Sequence, residues 1–305
     1  MSGTRLRRSE LSTPGTSEKM MAKAAASDAD LVFLDLEDSV APSQKEAARA
    51  LVATALTTHD WGGKSTAVRI NGVGTRWAHG DLIDVVGAAG SVIDLVIVPK
   101  VKAPRDVWFV ETMLEQLEAQ LGLGRRIGIE VLIEETEALA RVEEIAACSA
   151  RLEALILGVG DLSASQGIRT GHIGETVERY PGDLWHYARN RMIVAARANG
   201  LDAVDGPYAN FRDPEGYRRE ASWAATLGCV GKWAIHPDQI ALANAVFSPT
   251  PDEISRARRA IDAVREAESG GTGAASFGGL MIDAATARVF QVTLDRATRI
   301  DERNR

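Results

Sequence analysis

Eight short β-rich runs, each followed by a helix-like stretch, constrain this chain more than any other feature. They are Ser9–Thr13, Leu31–Glu37, Thr66–Asn71, Asp94–Lys100, Ile127–Glu135, Ala154–Asp161, Asp202–Tyr208 and Gly231–Pro237. Strands that alternate with helices call for a parallel sheet, because each crossover must return to the same edge. Runs such as LVFL are apolar without alternation, as expected where both faces of a parallel sheet are covered. Eight such units predict an α/β chain closed into a (β/α)₈ TIM barrel, and 305 residues suit that barrel with some surplus. Between the runs, Val107, Val110, Leu114, Leu117 and Leu121 recur at three-to-four spacing and predict one buried helical stripe. After Pro181, LWHYARNRMIVAARANG ends in Asn199-Gly200, a helix stop signal.

Beyond Phe247, SPTPDE punctuates the chain. The expected division is a catalytic barrel over 1–247 and a C-terminal helical extension over 248–305. Within the extension a charged helix runs to about Ser269, Gly270 to Gly279 reads as a flexible loop, and LMIDAATARVFQVTLDRA reads as helix. Such a tail is too small for a large core of its own, so it is expected to pack on the barrel or on a neighbouring subunit. An inserted loop, Ser163 to Asp183, lies between the sixth and seventh runs, on the side where loops shape a site.

Composition narrows the function. Thirty-five basic against 42 acidic residues give a net charge of −7, which argues against nucleic acid or an anionic membrane as partner but leaves room for a small anionic ligand. Cys148 and Cys229 have no metal-ligand spacing and form no disulfide framework, which fits a reducing cytoplasm. The segment after Arg5–Arg8 is polar rather than a signal h-region, and no apolar run approaches the roughly 18 residues of a membrane span.

The strand ends carry the chemistry. In order they offer Glu37 and Asp38, Arg69 and Asn71, Lys100, Glu134 and Glu135, Asp161, Asp205 and His236. In a filled barrel the C-terminal rim is where the βα loops converge and where sites form. A single acid there needs no explanation beyond solubility; acids and cations at most strand ends do. Glu134 and Asp161, from consecutive strands, can share a centre only if a cation holds both ionised. Two carboxylates with water and substrate in the remaining positions suit Mg²⁺ better than zinc. The five histidines form no HxH or HExxH pair, so a histidine cage is not expected. Arg69, inside an apolar strand, must meet an anion. That anion is either a rim acid in a salt bridge or an oxyanion that develops on the substrate.

Together, RSELSTPG, LDLEDSVAPSQKEAAR, VRING, VPKV, IEVLIEET, GVGDLSAS, VDGPYANFRDPEGY, GKWAIHPDQI and FGGLMIDAATARVFQ closely resemble the citrate lyase β-subunit-like CoA-ester lyases of the HpcH/HpaI aldolase superfamily. The similarity spans nearly the whole chain and is greatest to the malyl-CoA lyase branch. It implies Mg²⁺, with Mn²⁺ as the alternative ion, held by Glu134 and Asp161, which also bind substrate, with Arg69 at the reacting carbonyl. Glu37 and Asp38 would hydrogen-bond the metal's waters. A C-terminal lid would bring Asp283 over the site of an adjacent subunit in a homo-oligomer, a trimer or hexamer; read from sequence alone, Asp283 is a helix N-cap. CoA enters as part of the substrate, and Arg8, Lys19 and Lys45 are the candidates for its phosphates, against a competing reading as solvated surface cations.

The implied reaction is reversible cleavage of malyl-CoA or β-methylmalyl-CoA to glyoxylate and acetyl-CoA or propionyl-CoA. The partners are thus a CoA thioester and a 2-oxo acid. Alternatives are citramalyl-CoA cleavage, malyl-CoA thioesterase or malate synthase-like activity, a citrate lyase β subunit, and a barrel that only binds CoA metabolites. The hydroxy-oxoacid aldolases of the superfamily carry a histidine in a GEH motif where this chain has LED, with Asp38 in the histidine's place. That departure disfavours a free pyruvate-type aldolase.

Overall fold

A computed structural model describes residues 5–169, 180 and 182–303. Eight strands, β1 (Ser9–Pro14), β2 (Leu31–Asp35), β3 (Ser65–Arg69), β4 (Leu95–Val98), β5 (Gly128–Ile133), β6 (Leu152–Leu157), β7 (Asp202–Asp205) and β8 (Gly231–Ala234), pair in sequence order and close β8 onto β1, all parallel. Period-2 alternation fills the interior with Leu31 and Phe33, Ala67, Leu95 and Ile97, Leu132, Ala154 and Ile156, Val204, and Trp233. Continued by two residues, three of these rows, those of β2, β3 and β5, reach Asp35, Arg69 and Glu134. The alternation that builds the core therefore delivers charge to the mouth.

The N-terminal end of the barrel is closed by charge instead of hydrocarbon. The buried Arg7 guanidinium donates to Glu130 at 2.7 Å, Glu153 at 2.6 Å and Asp202 at 3.2 Å, and lies 3.9 Å from Glu10. Burial, and then Glu130, push the Glu10 carboxyl well above the usual range. Its other oxygen accepts the Trp233 indole N–H at 2.8 Å.

All eight predicted strands are present, most of them ending earlier than expected. The sixth is the instructive correction. It stops at Leu157, and Asp161 lies in the first turn of a helix, Val159–Gln166, that follows the single turn residue Gly158. Of the helical stripe in Pro104–Leu121, Val107, Val110, Leu114 and Leu117 are buried, whereas Leu121 is exposed just before the left-handed Gly122 ends the helix. The predicted helix before Asn199-Gly200 spans His186–Ala198. Of the inserted loop, residues 170–179 and 181, with His172 among them, lie outside the described residues.

The chain divides into two compact units, 1–245 and 246–305. In the second, a capping box between Thr250 and Glu253 starts the helix Pro251–Ser269. The predicted loop Gly270–Gly279 contains a strand, β9 (Ala274–Phe277), paired antiparallel with β10 (Leu280–Asp283). Gly278 and Gly279, both at positive φ, form a two-residue hairpin turn that other residues adopt at a cost. The glycine content thus marks a tight turn instead of a flexible linker. Ile282 packs with Ala260 and Val264, and the helix Ala284–Arg303 completes the unit.

Candidate active site

At the C-terminal mouth, Asp35 and Arg69 occupy paired positions of β2 and β3. Asp35 accepts from Arg69 Nε and Nη2, both at 2.7 Å, and from the backbone N–H of Glu37 at 2.8 Å and Ser39 at 3.1 Å. Burial opposes its ionisation, yet the Arg69 guanidinium and these donors hold its carboxyl below the ordinary range. Arg69 also lies 5.5 Å from the Trp233 ring centroid and 5.9 Å from that of Phe33, so aromatic faces support the guanidinium plane from the core side. Its third nitrogen is 3.2 Å from Glu37 Oε2. The salt-bridge reading of Arg69 therefore holds, and the guanidinium is fixed at the top of the core.

Glu37 and Asp38 meet the chain's own cations. Lys100 Nζ lies 2.5 Å from Glu37 Oε1 and 3.0 Å from Asp38 Oδ1. Burial disfavours the Lys100 ammonium, but these two carboxylates raise its pKa; held protonated in this way, it is no amine nucleophile. The backbone N–H of Lys100 donates to Glu134 Oε1 at 2.7 Å. Sequence reasoning placed Lys100 on the rim without a task; its left-handed backbone, φ 53°, leaves no signal in the residue's own identity.

Glu134 is 2% exposed, and burial followed by the nearby Asp161 raises its pKa to about 8. A Cβ on Gly158 would meet Glu134 Cβ at 2.4 Å and Oε2 at 2.6 Å. Gly158 is therefore the only residue type that lets the β6 turn bring Asp161 up to Glu134. Among the described residues no three His, Cys, Asp or Glu side chains stand together as ligands. Any cation at the Glu134–Asp161 pair would consequently take water and substrate for its other positions. Two hard carboxylates, one of them reluctant to ionise without a neighbouring positive charge, fit a Mg²⁺-type ion.

The other sequence candidates separate. Arg8 is corrected: it precedes β1, so it sits at the opposite end of the barrel, where its Nε and Nη2 donate to Asp30 at 2.8 Å. Lys45 is corrected too, because its buried ammonium donates to the carbonyls of Leu36 at 3.0 Å and Glu37 at 2.9 Å and so holds the β2 loop closed. Lys19 is exposed in the first turn after β1, on the mouth side. Asp205 is not a rim group either: it is fully buried, and Lys232 at 2.6 Å and Arg189 at 2.9 Å clasp it. Asp283 lies in the second unit, where its Oδ1 accepts Thr286 N–H at 3.0 Å and Oγ1–H at 3.1 Å as the expected N-cap. The backbone hydrogen bond from Thr286 lowers its pKa.

On the mouth face, the loops after β7 and β8 enclose a further cleft of about 510 Å³ lined by Phe211, Arg212, Tyr217, His236 and Gln239. Phe211 and His236 stack at 5.1 Å between centroids, and Arg212 lies 5.6 Å from the Phe211 ring.

Residues 8–237 match the HpcH/HpaI aldolase/citrate lyase family model. The L-malyl-CoA/beta-methylmalyl-CoA lyase of Cereibacter sphaeroides is 41% identical over 302 residues, 96% of this chain and 95% of that protein. A (3S)-malyl-CoA thioesterase of the same species is 36% identical over 295 residues, with 96% and 95% covered. CitE of Mycobacterium tuberculosis, solved with magnesium, acetoacetate and coenzyme A, superposes with a TM-score of 0.74 at 29% identity and covers 95% of this chain and 97% of that one. The chain belongs to the HpcH/HpaI aldolase/citrate lyase family.

Proposed function

We propose that this member of the HpcH/HpaI family is a Mg²⁺-dependent carbon–carbon lyase. It cleaves malyl-CoA or β-methylmalyl-CoA reversibly to glyoxylate and acetyl-CoA or propionyl-CoA. The observation that carries the reading is Glu134: buried, beside Asp161, held at one oxygen by Lys100 N–H, and on the same rim as Arg69. Glu134 and Asp161 would hold the Mg²⁺ ion, which would supply the Lewis acid for the 2-hydroxy acid end of the substrate. Cleavage passes the hydroxyl proton to solvent water at the mouth, turns that C–O bond into a carbonyl, breaks the adjacent carbon–carbon bond and sends its electron pair onto the thioester as an enolate. Arg69, already fixed by Asp35, stabilises the charge that develops on oxygen. Asp283, which takes up a proton from solvent before cleavage, delivers it to the enolate carbon, and in condensation it removes one from the acyl-CoA. Lys100 stays protonated and forms no Schiff base.

Asp283 reaches the mouth of an adjacent subunit in a homo-oligomer, a trimer or hexamer, with residues 246–305 as the lid. Glu37 and Asp38, charge-paired with Lys100, border the ion's water side. Lys19, exposed on the mouth side, is the proposed phosphate contact, and the stacked Phe211–His236 pair with Arg212 suits the nucleotide end of CoA. No helix among the described residues is long and apolar enough to cross a membrane. The compartment we propose is the cytoplasm, because the two cysteines are free thiols and suit a reducing environment. The thioesterase relative keeps hydrolysis as the second reading. The test is a panel of malyl-CoA, β-methylmalyl-CoA and citramalyl-CoA with and without Mg²⁺, scoring oxo acids and free CoA separately. Glyoxylate with acyl-CoA supports the lyase; free CoA without glyoxylate supports hydrolysis.

A further inference from the structure

Lys100 is the only non-glycine residue among the described ones with a left-handed backbone, φ 53°. That conformation is disfavoured for a side chain that makes no local hydrogen bond to its own backbone, and it persists where the surroundings over-determine it. Here they do. The N–H of Lys100 points to β5 and donates to Glu134 Oε1 at 2.7 Å, while its ammonium reaches back past β3 to Glu37 at 2.5 Å and Asp38 at 3.0 Å in the β2 loop. One residue thus anchors two strands of the mouth, β5 through its N–H and the β2 loop through its side chain. The consequence falls on Glu134. With Oε1 occupied by a backbone donor, Oε2 is the oxygen that faces Gly158, the residue that leads into the helix carrying Asp161.

We propose that Lys100 is a positioning residue for the divalent ion, acting through its backbone: the left-handed turn presents the N–H that selects which Glu134 oxygen ligates. The inference rests on the ion site proposed above and adds that its geometry is set by backbone conformation at residue 100, not by the lysine charge. Glycine and asparagine accept positive φ, whereas a β-branched residue does not. Lys100→Gly and Lys100→Val both delete the ammonium, so the difference between them isolates the turn.

The test is Mn²⁺ affinity measured on the purified full-length protein by loss of the free-ion electron paramagnetic resonance signal, with the thermal midpoint of each variant recorded alongside. Lys100→Gly and Lys100→Asn are expected to bind Mn²⁺ within about threefold of wild type, and Lys100→Val about tenfold or more weaker, the scale of losing a hydrogen bond to a charged group. Should Lys100→Val fail to fold, Lys100→Ala replaces it and is expected to bind more weakly than Lys100→Gly. Equal affinities for the glycine variant and its branched or alanine counterpart overturn the proposal, as does a glycine variant that loses Mn²⁺ as fully as valine. Wild-type protein that takes up no Mn²⁺ at all would instead overturn the ion site itself.

Discussion

Asp35 and Arg69, paired across neighbouring strands, meet through two hydrogen bonds of 2.7 Å with the carboxylate fully buried and the guanidinium side chain 9% exposed. Removing one partner of a buried pair leaves the other charge uncompensated. Asp35→Ala is expected to cost about 3–5 kcal/mol of stability in denaturant melts. Because the folded pKa of Asp35 is depressed, its contribution is complete above the ordinary aspartate value and is lost as pH falls through the lower, folded one. The difference between wild type and Asp35→Ala should therefore shrink in acid. The milder Asp35→Asn should retain the fold and lower kcat by about tenfold or more while KM changes less, because it loosens a group whose charge matters in the transition state.

Glu134, with a pKa of about 8 in the ion-free protein, couples ion uptake to proton release. At about pH 7 the carboxyl is mostly protonated, so Mn²⁺ binding should expel about one proton per chain into a lightly buffered solution. At about pH 9.5 the release should vanish, since the group is already ionised. Calorimetry in two buffers of different protonation enthalpy reads the proton count directly.

The charge cluster under the barrel predicts the opposite sign of pH dependence from Asp35. Glu10 titrates well above an ordinary glutamate because burial and Glu130 disfavour its charge. The fold thus prefers the protonated form, and stability falls as pH rises from the ordinary glutamate value towards the folded one, by up to about 1.4 kcal/mol per pH unit. Glu10→Gln should flatten that decline and be more stable than wild type in the alkaline arm, while malyl-CoA cleavage is unchanged.

The proposed sharing of the site between subunits predicts complementation. Glu134→Gln and Asp283→Asn should each be inactive alone. When the two are unfolded together and refolded in equal amounts, about a quarter of the sites in a cyclic trimer should recover both wild-type groups. Glyoxylate release from the mixture reads this directly; no recovery would place Asp283 in its own chain's site or outside the chemistry.

Much of this was legible in the residues because one strand alternation serves two purposes. The run Leu31, Phe33, Asp35 and the pair Ala67, Arg69 show the strand alternation that both fills the core and aims charge at the mouth. The hairpin Ala274–Asp283 was not legible, since GGTGAASFGG has the composition of a linker until the two left-handed glycines are seen as one turn. Charged residues misled for a different reason. Arg8, Lys45 and Asp205 have the same composition signal as a ligand-binding group, but Asp30, the β2-loop carbonyls and Lys232 consume them, and partners distant in sequence cannot be read from one position. Asp161 reads as the end of the sixth strand but lies in a helix, because GVG continues an apolar strand as readily as it starts a helix. Lys100 was missed as a determinant of Glu134 geometry since backbone donors carry no sequence letter.

The position of the divalent ion decides the chemistry of the mouth. A crystal of the full-length protein soaked in Mn²⁺ should give one anomalous peak per chain between Glu134 Oε2 and the Asp161 carboxylate, absent in both Glu134→Gln and Asp161→Asn. A peak lodged between Glu37 and Asp38, or a peak that survives both substitutions, would contradict it.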